Sequence, residues 1–79
     1  MKVRFFAHLQ TFTGCDAIEI SGMPSMTPDE LWTHLEKIFP GIIQYKSPTR
    51  LARNCAYADA GSVFKTGDEI ALIPPVSGG

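Results

Sequence analysis

One helix-start signal is written into this 79-residue chain, and the other regular segments alternate with a period of two. At Thr27-Pro28-Asp29-Glu30, threonine is the expected N-cap and proline takes the first helical position. Acids fill the first turn, with Glu30 at the capping-box position. Leu31, Leu35, Ile38 and Phe39 then recur at helical spacing with Trp32 beside them, until Pro40-Gly41 ends the run. The stripe is expected to face a sheet, leaving Glu36 and Lys37 in water. A chain this short holds one domain, spanning residues 1–79, so its single amphipathic helix must find its cover in a sheet.

The strands are legible from alternation. In Lys2-Val3-Arg4-Phe5-Phe6-Ala7, Val3, Phe5 and Ala7 share one face, and Phe6 shares the solvent face with Lys2 and Arg4. Gly14 breaks the chain before Ala17-Ile18-Glu19-Ile20, which predicts a hairpin with Ile18 and Ile20 inward. After a stretch from 42 to 50 in which Ile43 and Tyr45 are the packing candidates, Leu51-Ala52-Arg53 and Ala56-Tyr57-Ala58 pair around Asn54-Cys55. Asparagine tolerates the left-handed conformation that a tight turn needs. A turn at Lys65-Thr66-Gly67-Asp68 introduces the last strand, Glu69 to Ile73, with Ile70 and Leu72 inward. The predicted order is β-β-α-β-β-β, an α+β class with a mixed sheet packed across one main helix.

Composition removes several function classes. Seven basic and eight acidic residues leave a net charge of -1, which offers no footprint for nucleic acid or an anionic membrane surface. No segment is long and apolar enough to span a bilayer, and no secretory signal precedes the first strand. Cys15 and Cys55 are too few for a disulfide framework or a zinc site, so no metal is expected and a reducing cytoplasm is the default. His8, His34, Cys15 and Cys55 fall in no spacing that builds an acid-base pair or an activated nucleophile. The histidines read as surface residues and the cysteines as small apolar ones.

The end of the sequence, Ile73-Pro74-Pro75-Val76-Ser77-Gly78-Gly79, is where chemistry is expected. Pro74 and Pro75 lack an N–H and stop the strand, and two glycines have no Cβ to obstruct a narrow channel. Residues 74–79 would form an extended arm of roughly 20 Å, at about 3.3 Å per residue. A carboxylate is a poor electrophile until activated. A mixed anhydride with AMP would supply the leaving group, after which a sulfur donor leaves a thiocarboxylate or a lysine leaves an amide. The chain has no nucleotide site, so ATP would be used by a partner and no cofactor bound here.

The stretch Gly67-Asp68-Glu69-Ile70-Ala71-Leu72-Ile73-Pro74-Pro75-Val76-Ser77-Gly78-Gly79 resembles the C-terminus of the small-subunit family of molybdopterin synthase. Lys2 to Ala7, Gly14 and Asn54 are similar to that family too, whereas Arg53 stands where it usually has an apolar residue. The resemblance implies a ubiquitin-like β-grasp fold and a sulfur carrier in molybdenum cofactor biosynthesis. It implies that Gly79 is adenylated by an enzyme similar to those that activate ubiquitin, then converted to a thiocarboxylate. Pro74, Pro75, Val76, Ser77 and Gly78 would insert into the large subunit, where sulfur passes to cyclic pyranopterin monophosphate, within a heterotetramer built on a large-subunit dimer. Phe6, Tyr57 and Ile73 would form an exposed docking patch at the root of the arm. Two rivals share the glycine end: the related carrier for thiamin thiazole synthesis, whose tail usually lacks Pro-Pro-Val, and a ubiquitin-like protein modifier.

Overall fold

The capping box anticipated at Thr27 is complete. Thr27 Oγ1 accepts from the Glu30 N–H at 3.2 Å, and Glu30 Oε1 accepts from the Thr27 N–H at 2.8 Å. It opens the longest helix of a computed structural model that describes residues 1–59 and 61–74. Thr27→Ala removes one of these bonds and is expected to cost about 1 kcal/mol, read as a lower thermal midpoint.

Along the chain come β1 (Lys2–Phe5), α1 (His8–Thr13), β2 (Ala17–Glu19), β3 (Ser25–Met26) and α2 (Pro28–Ile38). A 3-10 turn (Ile42–Tyr45) follows, then β4 (Arg50–Arg53), β5 (Ala56–Ala58), β6 (Phe64–Lys65) and β7 (Glu69–Ile73). Five strands form one mixed sheet in the order β2-β1-β7-β4-β5, and β3 pairs with β6 apart from it. The central pair, β1 and β7, is parallel and the other neighbours are antiparallel. This is a mixed sheet across one main helix, the β-grasp architecture that the resemblance implied.

Period-two alternation sorts the sheet's side chains. Val3, Phe5, Ile70, Leu72 and Leu51 are buried in one cluster with Leu31, Trp32 and Leu35 of α2. Phe5 meets the Phe39 ring edge-on, with centroids 5.5 Å apart. Removing these groups from water is the main stabilising term, at about 1.5–3 kcal/mol per large apolar side chain.

Several expectations change. The link from β1 to β2 is no simple hairpin turn, because α1 occupies it and buries Leu9. Six residues with one buried position are too few to show a helical period. The first strand ends at Phe5, and Ala7, expected inward, is exposed with φ of 52°. Ile38 is exposed rather than part of the buried stripe. Ile42, not Ile43, packs in the core beyond α2. The pair β3 and β6 was not anticipated, since two residues carry no alternation, yet it buries Met26 and Phe64.

Glu36 does not simply face water. Its carboxylate accepts from the Gly41 N–H at 2.8 Å and the Ile43 N–H at 3.0 Å, capping the 3-10 turn. Gly41 has φ of 97°, a conformation that strains any residue with a side chain, and a Cβ there would lie 3.3 Å from the Phe12 ring, which would have to shift by a few tenths of an ångström. The two N–H bonds hold the Glu36 pKa below the ordinary glutamate value. A folded pKa below the unfolded one stabilises above the unfolded value, and that contribution is lost as pH falls through the folded value. Glu36→Gln is therefore expected to lower the thermal midpoint at neutral pH. The gap from wild type should close on acidification below about pH 4.3.

Candidate functional site

The root of the C-terminal arm lies in the middle of the sheet. β7 runs between β1 and β4, with Phe5 opposite Leu72 and Arg50 opposite Ile73. The strand stops at Ile73, as Pro74 dictates. The readings made for Pro75, Val76, Ser77, Gly78 and Gly79 lie outside the described residues.

The three docking residues proposed from sequence come together. Phe6, Tyr57 and Ile73 line one groove of about 510 Å³ on the solvent face of the sheet. Phe6 is 43% exposed and Tyr57 69%, an uncommon setting for two aromatic rings on one face. Arg4, Ala52, Cys55, Glu69 and Ala71 complete the lining. Sequence reasoning missed these five as site residues, although the alternation that turned Phe6 and Ile73 outward applies equally to Arg4, Ala71 and Ala52. Arg4 Nη1 donates to Glu69 Oε2 at 3.2 Å, and the Arg50 guanidinium lies 5.6 Å from the centre of the Tyr57 ring.

The turn at one end of the groove is held by side chains rather than by glycine. Asn54 and Cys55 both have positive φ, 49° and 72°, the conformation of a two-residue hairpin turn. For cysteine that conformation costs about 1–2 kcal/mol. Asn54 offsets the strain. Its N–H donates to the Glu69 carbonyl at 2.9 Å, its Oδ1 accepts from the Glu69 N–H at 3.0 Å, and its Nδ2 donates to Asp68 Oδ1 at 3.2 Å. Asp68 also accepts from the Lys65 N–H at 2.8 Å, and that bond, ahead of the one from Asn54, holds its pKa below the ordinary aspartate value. The β4–β5 turn is thus tied to the start of β7. Arg53 leaves the turn undisturbed, because its guanidinium reaches away to the Val63 carbonyl at 2.8 Å.

The other candidates stand apart from the groove. His8 packs on Tyr45 with centroids 5.1 Å apart, and Cys15 is half-buried against the core. Among the described residues, no group of three or more His, Cys, Asp or Glu side chains is placed to hold a metal ion. No described helix is long and apolar enough to cross a membrane.

Comparison with known proteins covers the chain nearly end to end. Residues 3–79 match the ThiS family. The molybdopterin synthase sulfur carrier subunit of Homo sapiens is 33% identical over 82 residues, covering 100% of this chain and 93% of that one. SAMP1 from Haloferax volcanii has a similar structure, with a TM-score of 0.82 and 26% identity over 99% of this chain and 97% of that one. A complex of subunits 1 and 2 of molybdopterin-converting factor from Helicobacter pylori contains a chain similar at a TM-score of 0.65. That chain is 28% identical, with 99% of this chain and 96% of that one covered.

Proposed function

This chain belongs to the ThiS family, and we propose from that premise that it is the sulfur carrier subunit of molybdopterin synthase, working with a large subunit in one complex. The observation that carries the reading is the likeness over the full length of the chain to sulfur carrier subunits of that name. As the small subunit, it delivers sulfur to chemistry completed in its partner.

The mechanism we propose begins with a Gly79 carboxylate oxygen attacking the α-phosphorus of ATP on a ubiquitin-activating-type adenylyltransferase, with pyrophosphate leaving. A sulfide-level nucleophile then displaces AMP from the acyl carbon and leaves the thiocarboxylate. Gly78 and Gly79 add no side chain to the segment that enters the large subunit, and Pro74, Pro75, Val76 and Ser77 lead it there. Sulfur passes to cyclic pyranopterin monophosphate, and water restores the carboxylate for another cycle. We place this cycle in a heterotetramer and in the reducing cytoplasm, which suits the free Cys15 and Cys55.

The test is intact-mass measurement after incubation with the activating enzyme, ATP and a sulfide source. Exchange of one oxygen for sulfur at the C-terminus is expected, and an unchanged mass in a reaction that thiolates a known carrier would reject the assignment. A second reading, attachment to target lysines through an isopeptide bond, is favoured by the likeness to small archaeal modifier proteins. It predicts conjugates that survive reducing agent. The thiazole carrier remains separable by complementation, since the chain is expected to restore a molybdopterin-deficient strain and not a thiazole-requiring one.

A further inference from the structure

The arm follows a central strand, so a neighbour on each side could pair with it and draw it into the sheet. Backbone hydrogen bonds fix where that pairing would fall. Lys2 donates its N–H to the Asp68 carbonyl at 3.0 Å, so the even-numbered residues of β1 bond toward β7. The odd-numbered ones bond toward β2, as the Phe5 N–H does to the Asp16 carbonyl at 2.9 Å. Continued past Phe5, this ladder would give the Phe6 carbonyl the N–H of residue 74. That residue is proline and has none. The Phe6 carbonyl accepts the Leu9 N–H at 3.1 Å instead, across a turn in which Ala7 has φ of 52°. The same turn carries the His8 N–H, the next donor on that flank, away into α1.

On the other flank, Asn54 donates its N–H to the Glu69 carbonyl at 2.9 Å, one register step beyond Arg53 opposite Ile70. In an antiparallel pair the hydrogen-bonded positions recur at every second residue. They fall at Ala52 with Ala71 and at Arg50 with Ile73, and the next would be Pro48 with Pro75. Such a pair exchanges two N–H groups, and neither proline has one. Pro48 is exposed, so core packing does not account for it. It lies just before β4, in a turn closed by the Thr49 N–H on the Lys46 carbonyl at 3.3 Å.

We propose that Pro48 is a positioning residue for sulfur transfer. With Pro74 and Pro75 it withholds the three donors that would extend the ladder past Ile73, so the sheet ends there and residues 74–79 keep their full reach. Pairing at positions 48 and 75 would take two residues from the arm, about 7 Å of its roughly 20 Å. The consequence for transfer rests on the carrier reading above, whereas the ladder itself does not.

The experiment measures amide hydrogen exchange by NMR, thermal melting and sulfur transfer for wild type, Pro48→Val, Pro75→Val and the combined variant. The amides introduced at positions 48 and 75 are expected to exchange about tenfold or more slowly in the combined variant than in either single one. Transfer is expected to fall about tenfold or more in the combined variant, by more than the two single effects multiplied, with no loss of thermal midpoint. Prolines that only stiffened a turn would show the reverse, a lower midpoint with transfer intact. Exchange at the free-peptide rate at both positions, or transfer within a few-fold of wild type, overturns the proposal. Pro74 lies outside the buried core, so Pro74→Ala decides the matter even if the combined variant fails to fold. Its new amide faces the Phe6 carbonyl and is expected to be protected about tenfold; free-peptide exchange there overturns the proposal as well. Wild type that acquires one sulfur keeps the carrier reading whatever the exchange shows. Wild type that acquires none sinks that reading and leaves the ladder to be judged by exchange.

Discussion

Deleting Gly79 is expected to abolish sulfur transfer while leaving the thermal midpoint of the protein unchanged. The shortened chain still ends in a glycine carboxylate, so the functional group survives and only its position is lost. One residue removes about 3.3–3.6 Å of reach. A misplacement of even about 1 Å at a reacting centre costs on the order of 10²-fold in rate, so the truncated carrier should show no turnover above background. Stability is untouched because the buried apolar residues, among those described, lie between Met1 and Leu72. Single-turnover assay of sulfur transfer, paired with melting by circular dichroism, reads both halves. Transfer within a few-fold of wild type would show that the arm's last residue is not the carrier.

The largest stability effect is expected one residue away from a docking residue. Phe5 is 1% exposed and Phe6 43%, because adjacent residues leave the strand toward opposite faces. Phe5→Ala removes a core ring stacked edge-on against Phe39, a loss of about 3–5 kcal/mol. The whole domain is held by about 4–12 kcal/mol, at roughly 0.05–0.15 kcal/mol per residue. The midpoint should therefore drop by at least about 12 °C, or folding should fail. Phe6→Ala should change stability by no more than about 0.5 kcal/mol while weakening association with the large subunit. Equal melting of the two variants would contradict the assignment of faces.

These contrasts show which parts of the molecule local sequence carries. The start of α2 was readable at Thr27 because capping is an exchange of hydrogen bonds between residues three apart. The faces of β1 and β7 were readable because alternation is a property of each strand alone. α1 was not, since Ala7 adopts φ of 52° and only Leu9 of the following turn is buried, leaving no period to detect. The role of Glu36 was hidden as well, because its partners Gly41 and Ile43 become neighbours only after the chain has turned beyond α2.

The sequence by itself determined the single amphipathic helix, the outward Phe6, Tyr57 and Ile73, and the stop at Pro74, all through interactions a few residues long. Only the tertiary structure decided that β1 lies parallel to β7 in the centre of the sheet and that Ala71 of β7 meets Ala52 of β4. The first joins residues 67 positions apart, Val3 with Ile70, and the second residues 19 apart, both beyond the reach of any local signal. Their register is selected by burying Val3, Phe5, Ile70 and Leu72 together on one face. The same selection turns Arg4, Ala71, Ala52 and Tyr57 to the other face, where they line one groove.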